Sequence, residues 1–351
     1  MSNTNSTGGV RILTREALGL HDRLHMIHHA SRPARIVIVG AGHVGATLAY
    51  SLVLDGLAPE IVLIDQDQRR AEGEAMDLNH AVPFSTPSRI WAGGYEDCAG
   101  AAVVVLTAGA GQKPGETRLD LAGRNGAIFA EVVPRITAVT RDAILLVATN
   151  PVDVLTYAAW KLSGLPAQRV IGSGTILDTA RFRFLLSGHF GVDARSVHAY
   201  VIGEHGDSEV LVWSLANIAG MRLPDFRAAH DLGPDQAAMD AIADDTRRAA
   251  YHIIERKGAT YFAVAAGLLR ILEAILRDQA TVLSVSSLVP SRYGMSGVCL
   301  SLPTVVTRNG IERVLHLPHD DQETDAFRRS GAVVRKTIES LHLPSPSAVD
   351  R

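Results

Sequence analysis

The heptapeptide Val201-Ile202-Gly203-Glu204-His205-Gly206-Asp207 places one histidine in a polar turn, with a glycine on either side of the Glu204-His205 pair. The apolar run 199–202 before it predicts a strand. Gly203 and Gly206 carry no side chains, so a substrate can approach the imidazole closely. Histidine titrates near neutral pH and can give or take a proton under working conditions. Proton transfer is therefore the chemistry assigned to His205. An inert turn histidine is the other reading that so short a motif allows.

Residues 174–183 offer partners. On a helix predicted over 176–186, Asp178 and Arg181 are three apart and share a face. They sit among Ile176, Leu177, Phe182 and Phe184, where unpaired charge is expensive. This favours Asp178 beside His205, with Arg181 gripping a substrate carboxylate through two hydrogen bonds, over a surface ion pair. Arg183 lies about 200° further round the helix from Arg181 and faces elsewhere. The glycine-rich stretch 107–118 is longer than a minimal connection and reads as a lid. Its Arg118, near the far hinge, would polarise a carbonyl on closure; a solvated loop arginine is the plain alternative. Asn150, in Ala148-Thr149-Asn150-Pro151-Val152-Asp153, ends a predicted strand, where ligands bind in open α/β sheets. It is a candidate hydrogen-bonding residue, or simply a residue leading into the next helix.

The elements that must position these groups begin with a dinucleotide fingerprint. The short run 36–39 is β-branched and leads into Gly40-Ala41-Gly42-His43-Val44-Gly45, followed by helical sequence. Asp65 ends the next apolar run, 20 residues past Gly45. Gly40 allows a tight turn, Gly42 lets the backbone approach a pyrophosphate, and Gly45 lets helix pack on strand. The helix N-terminus offers free N–H groups to the phosphates. Asp65 would bind the adenosine ribose hydroxyls and repel a 2′-phosphate, which selects NAD over NADP. Val44, together with Ala108, Gly109, Thr149 and Asn150 at the ends of later strands, completes the expected cofactor contacts.

Further strands are predicted at 103–106, 144–147 and 170–171, with helices at 69–78 and 121–133 between them. This alternation predicts an α/β fold, with a Rossmann-type parallel sheet covered on both faces. After about residue 175 the rhythm changes to a mixed α+β catalytic domain, with helices at 235–257, 261–278 and 321–341. Antiparallel strands are predicted at 282–289 and 297–306, with a turn at Arg308-Asn309-Gly310. The expected division is a flexible arm at 1–31, an NAD-binding domain at 32–175, a substrate domain at 176–343 and a loose tail at 344–351. His21, His25 and His28 share helical spacing, but no cysteine or carboxylate completes a ligand set there, so no metal site is expected.

Among 351 residues, 47% are hydrophobic and 20% charged, and the net charge is −3, which gives no basic field for nucleic acid or an anionic membrane. The two cysteines, Cys98 and Cys299, are too few for a disulfide framework and fit a reducing cytoplasm. No membrane span or signal peptide is expected.

Taken together, GAGHVG, IVLID, AGAGQKPGETRLDL, ATNPVD, GSGTILDTARFR, GEHGD and KGATY stand in the order of the L-lactate/malate dehydrogenase family, which the chain resembles from residue 34 to about 341. Within it, the chain is most similar to the bacterial L-lactate dehydrogenases activated by fructose 1,6-bisphosphate. The resemblance implies reversible reduction of pyruvate by NADH in glycolysis and fermentation. It makes His205 the acid/base, Asp178 its orienting partner, Arg181 the carboxylate clamp and Arg118 the carbonyl polariser. Asn150 would contact substrate and Thr260 would line the pocket. Gln112 stands where malate dehydrogenases carry an arginine for a second carboxylate, which favours pyruvate; Lys113 beside it keeps malate dehydrogenase as the alternative. A non-catalytic NAD-binding protein is the alternative from another class. The resemblance also implies a phosphate site at Arg183 and His198 across a subunit interface, and a homotetramer.

Overall fold

The computed structural model describes residues 34–111, 117–233 and 235–341, and the side chains of all of them except Arg118 and Arg292. The arm at 1–31, the tail at 344–351, Gln112 and Lys113 lie outside the described residues. Six short strands make the parallel part of the fold: β1 (Arg35–Val39), β2 (Glu60–Ile64), β3 (Arg89–Ala92), β4 (Val103–Leu106), β5 (Ile144–Val147) and β6 (Val170–Gly172). Their spatial order is β3-β2-β1-β4-β5-β6. Helices α1 (His43–Asp55), α2 (Gln68–Ala81), α3 (Arg118–Thr137) and α4 (Val152–Ser163) connect them.

Alternation along each strand explains why the runs are apolar throughout. Ile36, Ile38, Ile61, Leu63, Val103 and Val105 pack on one face with Leu48 and Leu52 of α1. Their neighbours Val37, Val39, Val62, Ile64, Val104 and Leu106 pack on the other with Phe129 and Val133 of α3. A sheet buried on both faces has no polar positions to alternate with.

The chain continues through α5 (Ile176–Phe190), β7 (Val197–His198), β8 (Val201–Ile202), β9 (Val210–Leu211), β10 (Asn217–Ile218) and β11 (Met221–Arg222). It then forms α6 (Leu223–Ala229), α7 (Gln236–Lys257), α8 (Phe262–Leu276), β12 (Thr281–Leu288), β13 (Cys299–Thr307), β14 (Gly310–Val314) and α9 (Asp321–Ser340). The last three strands join the parallel ones in one nine-stranded sheet, where Ser286 of β12 pairs with Gly172 of β6. Sequence reading placed β12, β13, the turn after β13 and, within the run 199–202, β8; it missed β3, β14 and the other two-residue strands.

Seven residues apart, His198 and His205 read in the sequence as the start and the end of one strand, and the structure corrects this: they do not share a strand. β7 pairs with β10, whereas β8 pairs with β9. Between them the Ala199 carbonyl accepts from Arg183 Nε at 2.9 Å and the Tyr200 carbonyl from the Val212 N–H at 2.9 Å. The backbone changes partner there, which an uninterrupted apolar run conceals.

β1 lies between β2 and β4, so its C-terminal end is where connections diverge to opposite faces, the usual ligand crevice of such sheets. The glycine turn occupies that point. Gly40 has φ +113°, in the region that favours glycine. A Cβ on Gly45 would stand 1.9 Å from the Gly40 carbonyl oxygen, whereas one on Gly42 would meet nothing within 4 Å. Gly45→Ala is expected to destabilise the fold by about 1–3 kcal/mol, seen as a lower urea midpoint. Gly42→Ala should leave the midpoint alone; equal midpoints for the two variants would contradict the packing role of Gly45.

Candidate active site

β8 ends at Ile202, and the turn to β9 carries Gly203 to Glu209. Two consecutive amides of that turn are held from outside. The Glu204 N–H donates to Ser330 Oγ of α9 at 2.8 Å. The His205 N–H donates to Asp153 Oδ2 of α4 at 2.7 Å. The other Asp153 oxygen accepts from Ser286 of β12 at 2.6 Å. One buried carboxylate thus ties α4, β12 and the histidine turn together. Burial pushes the Asp153 carboxyl up to about 7, against the pull of the Ser286 hydroxyl and the His205 amide.

The imidazole meets α5. His205 Nδ1 lies 2.5 Å from Asp178 Oδ2, and Arg181 donates to Asp178 Oδ1 at 2.8 Å. Asp178 is 2% exposed, while the His205 side chain keeps 23% of its surface open. Burial alone would lower the histidine, but the Asp178 charge and hydrogen bond outweigh it and hold the ring up to about 9. Burial likewise opposes the charge on Asp178, yet the imidazolium and Arg181 keep its carboxyl below the ordinary range. With Nδ1 engaged, Nε2 is the ring nitrogen left to exchange a proton with a ligand, since no hydrogen bond joins it to another described residue. The helical spacing that paired Asp178 with Arg181 is found, and the chain brings His205 to the same carboxylate. Arg183 turns away as expected, its guanidinium 5.3 Å over the Tyr200 ring.

A cleft of about 600 Å³ opens beside the glycine turn, lined by Gly40, Gly42, Asp65, Thr107, Ala108 and Gly109. Asp65 Oδ2 accepts from the Ala41 N–H at 2.7 Å and Oδ1 from the Asp67 N–H at 2.9 Å. It therefore braces the turn as well as facing the cleft. Thr107 Oγ1 donates to the Gly40 carbonyl at 2.7 Å, and Thr149 Oγ1 to the Ala108 carbonyl at 2.8 Å. The open space at Gly42, the N-terminus of α1 and the carboxylate at the end of β2 fit a dinucleotide. Val44 is half-buried in the first turn of α1.

Asn150 lies beyond β5 with an exposed side chain, and the Asn150-Pro151 peptide is cis. Its carbonyl accepts from Asn125 Nδ2 of α3 at 2.7 Å, and Asn125 Oδ1 accepts from the Ala110 N–H at 2.8 Å. Sequence reading missed Asn125 and Asp153. Neither carried a sequence signal that set it apart: Asn125 follows Arg124 in a mixed helix, and Asp153 follows the Asn150-Pro151 turn. Arg118 is the first residue of α3. Thr260 is half-buried between α7 and α8, with no hydrogen bond to the His205 cluster. No group of metal-ligating side chains is found among the described residues, and no helix there is long and apolar enough to cross a membrane.

Residues 34–172 match the lactate/malate dehydrogenase NAD binding domain, and residues 175–342 the alpha/beta C-terminal domain of the same group. The chain belongs to the lactate/malate dehydrogenase family. It is 52% identical over 309 residues to an L-lactate dehydrogenase of Acetivibrio thermocellus, covering 88% of this chain and 98% of that one. A probable L-lactate dehydrogenase of Schizosaccharomyces pombe is also 52% identical, over 88% and 93% of the two chains. The ligand-bound crystal structure of a minor L-lactate dehydrogenase from Enterococcus mundtii superposes with a TM-score of 0.86 at 41% identity, covering 89% and 99%. NAD is accordingly the cofactor of the N-terminal cleft, and the observed fold is the expected Rossmann-type parallel sheet, followed by an alpha/beta C-terminal domain.

Removing Asp153 should expose how much the turn depends on it. In Asp153→Ala the His205 amide and the Ser286 hydroxyl lose their acceptor, at about 1–3 kcal/mol for each donor left unpaired. A lowered melting temperature with a reduced turnover rate is expected. Wild-type values for both would show that the turn holds without it.

Proposed function

We propose that the protein is an NAD-dependent L-lactate dehydrogenase that interconverts pyruvate and L-lactate. The observation that carries this reading is the His205–Asp178–Arg181 cluster, a proton donor, its partner carboxylate and a substrate clamp within two hydrogen bonds of one another. Relatives near 50% identity named L-lactate dehydrogenase support it. The bound nicotinamide supplies or accepts the hydride. Arg181 grips the substrate carboxylate, and Arg118 and Asn150 polarise and orient the reacting oxygen. Protonated His205 gives its Nε2 proton to the carbonyl oxygen of pyruvate, and neutral His205 takes the hydroxyl proton of lactate. Asp178 stabilises the imidazolium formed in the second direction. Thr260 lines the pocket. Gln112 leaves a second substrate carboxylate without a partner, which disfavours oxaloacetate.

The division into an NAD-binding part at 32–175 and a substrate part at 176–343, a cytoplasmic location and a homotetramer belong to the same proposal. So does activation by fructose 1,6-bisphosphate at Arg183 and His198. His198 is exposed, and Arg183 stands half-buried on the Ala199 carbonyl and the Tyr200 ring; a cation beside an exposed histidine supports a phosphate reading.

NADH oxidation with pyruvate or oxaloacetate, with and without fructose bisphosphate, tests the reading. Pyruvate should be the better substrate, with a lower KM when the effector is present; no turnover with either keto acid would overturn it. Gln112→Arg should move the ratio of kcat/KM towards oxaloacetate by about two orders of magnitude. The pyruvate KM should rise as pH passes about 9, where His205 loses its proton, while the lactate KM falls on approach to that range. Parallel pH dependences of the two KM values would contradict the role of His205.

A further inference from the structure

We propose that Glu209 is a second proton-carrying group of the substrate pocket: neutral, it lets a monocarboxylate bind, and ionised, it opposes that binding. The inference rests on the pyruvate–lactate reading of the pocket. Glu209 closes the histidine turn, its N–H donating to the Gly206 carbonyl at 3.0 Å. The residue is 5% exposed, and Oε1 is buried with no hydrogen-bond partner among the described residues. The charged groups facing it come from three elements: Asp178 and Arg181 from α5, His205 from its own turn, and Arg247 from α7. Asp153 of α4 reaches the cluster through His205. Glu204 and Asp207 of the same turn bond elsewhere, to Ser208 and Tyr251.

A buried carboxylate oxygen without a donor is costly as an anion. Burial and the Asp178 charge push Glu209 up to about 8, while His205, Arg247 and Arg181 pull the other way. With Glu209 neutral, Asp178, imidazolium, Arg181 and Arg247 sum to two positive charges around the site of the substrate carboxylate. Ionised Glu209 lowers that to one and weakens the pull on an anion. In lactate oxidation the matching form has neutral His205. Asp178, Arg181 and Arg247 then sum to one positive charge, which an ionised Glu209 cancels before an anionic substrate arrives. Glu209 therefore weakens lactate binding in the alkaline range where His205 is ready to accept a proton.

Glu209→Gln keeps the shape and removes the charge. Above about pH 9 the variant should bind lactate with a KM about tenfold lower than wild type. Below neutrality, where Glu209 is already uncharged, its pyruvate KM should be unchanged. Improved binding confined to alkaline pH is not an effect of a damaged fold. An unchanged lactate KM at alkaline pH would overturn the inference. A second measurement needs no variant. Calorimetry in buffers of different ionisation enthalpy counts protons taken up when oxamate, the amide isostere of pyruvate, binds the NADH-loaded wild type. Between about pH 8 and 9 the uptake should follow two titrating groups, and a curve for one group would overturn the proposal. Wild type with no turnover of pyruvate or lactate would overturn the pocket reading and this inference with it; turnover with an unaffected variant would overturn the inference alone.

Discussion

A carboxylate almost without solvent contact and an imidazole 2.5 Å away form the interaction around which the second half of the molecule is arranged. Neither group is stable there alone, because an isolated buried charge costs several kcal/mol. Each therefore makes the other's ionised form acceptable, with Arg181 supplying the second hydrogen bond to Asp178. Since the folded-state histidine is raised to about 9, the stability this pair contributes is fully present below about 6.5, the unfolded value. It is lost as pH rises through about 9, so the same proton that the proposed chemistry uses also helps hold the fold.

The pair works only if the turn carrying His205 is fixed, and the fixing is done by residues distant in sequence. Asp153 and Ser330 each take one amide of the turn, from α4 and α9 respectively. Asn125 performs a similar service on the cofactor side, holding Ala110 and the Asn150 carbonyl from α3. Groups proposed to touch ligand are thus positioned by others, which are buried where any substitution leaves a donor or acceptor unpaired.

That distinction explains what could be read from the chain before its fold. The glycine turn, the strand ahead of it and Asp65 lie within one βαβ unit, so their spacing is local and legible. Asp178 and Arg181 are legible for the same reason, being one helical turn apart. The union of Asp178 with His205 spans 27 residues and was read indirectly, from the cost of leaving Asp178 unpaired among apolar neighbours and from the family resemblance. Asp153 stood in a quoted motif without a role, because its partners lie 52 and 133 residues away. The break between β7 and β8 was hidden since both sides of it are apolar. Burial of Glu209 was hidden for the opposite reason: a glutamate in a polar turn looks solvated, whereas this one is 5% exposed.

The pairing of β6 with β12 carries a mechanical consequence. Hydrogen-bonded neighbours run without interruption from β3 to β14, so the strand ends that bear the glycine turn and the strand that anchors Asp153 belong to one elastic plate. The cleft beside β1 and the His205 turn, braced through Asp153 against β12, are spaced by the intervening strands β4, β5 and β6. Tuning of that separation is left to side chains and connecting loops, which can vary without cutting the sheet.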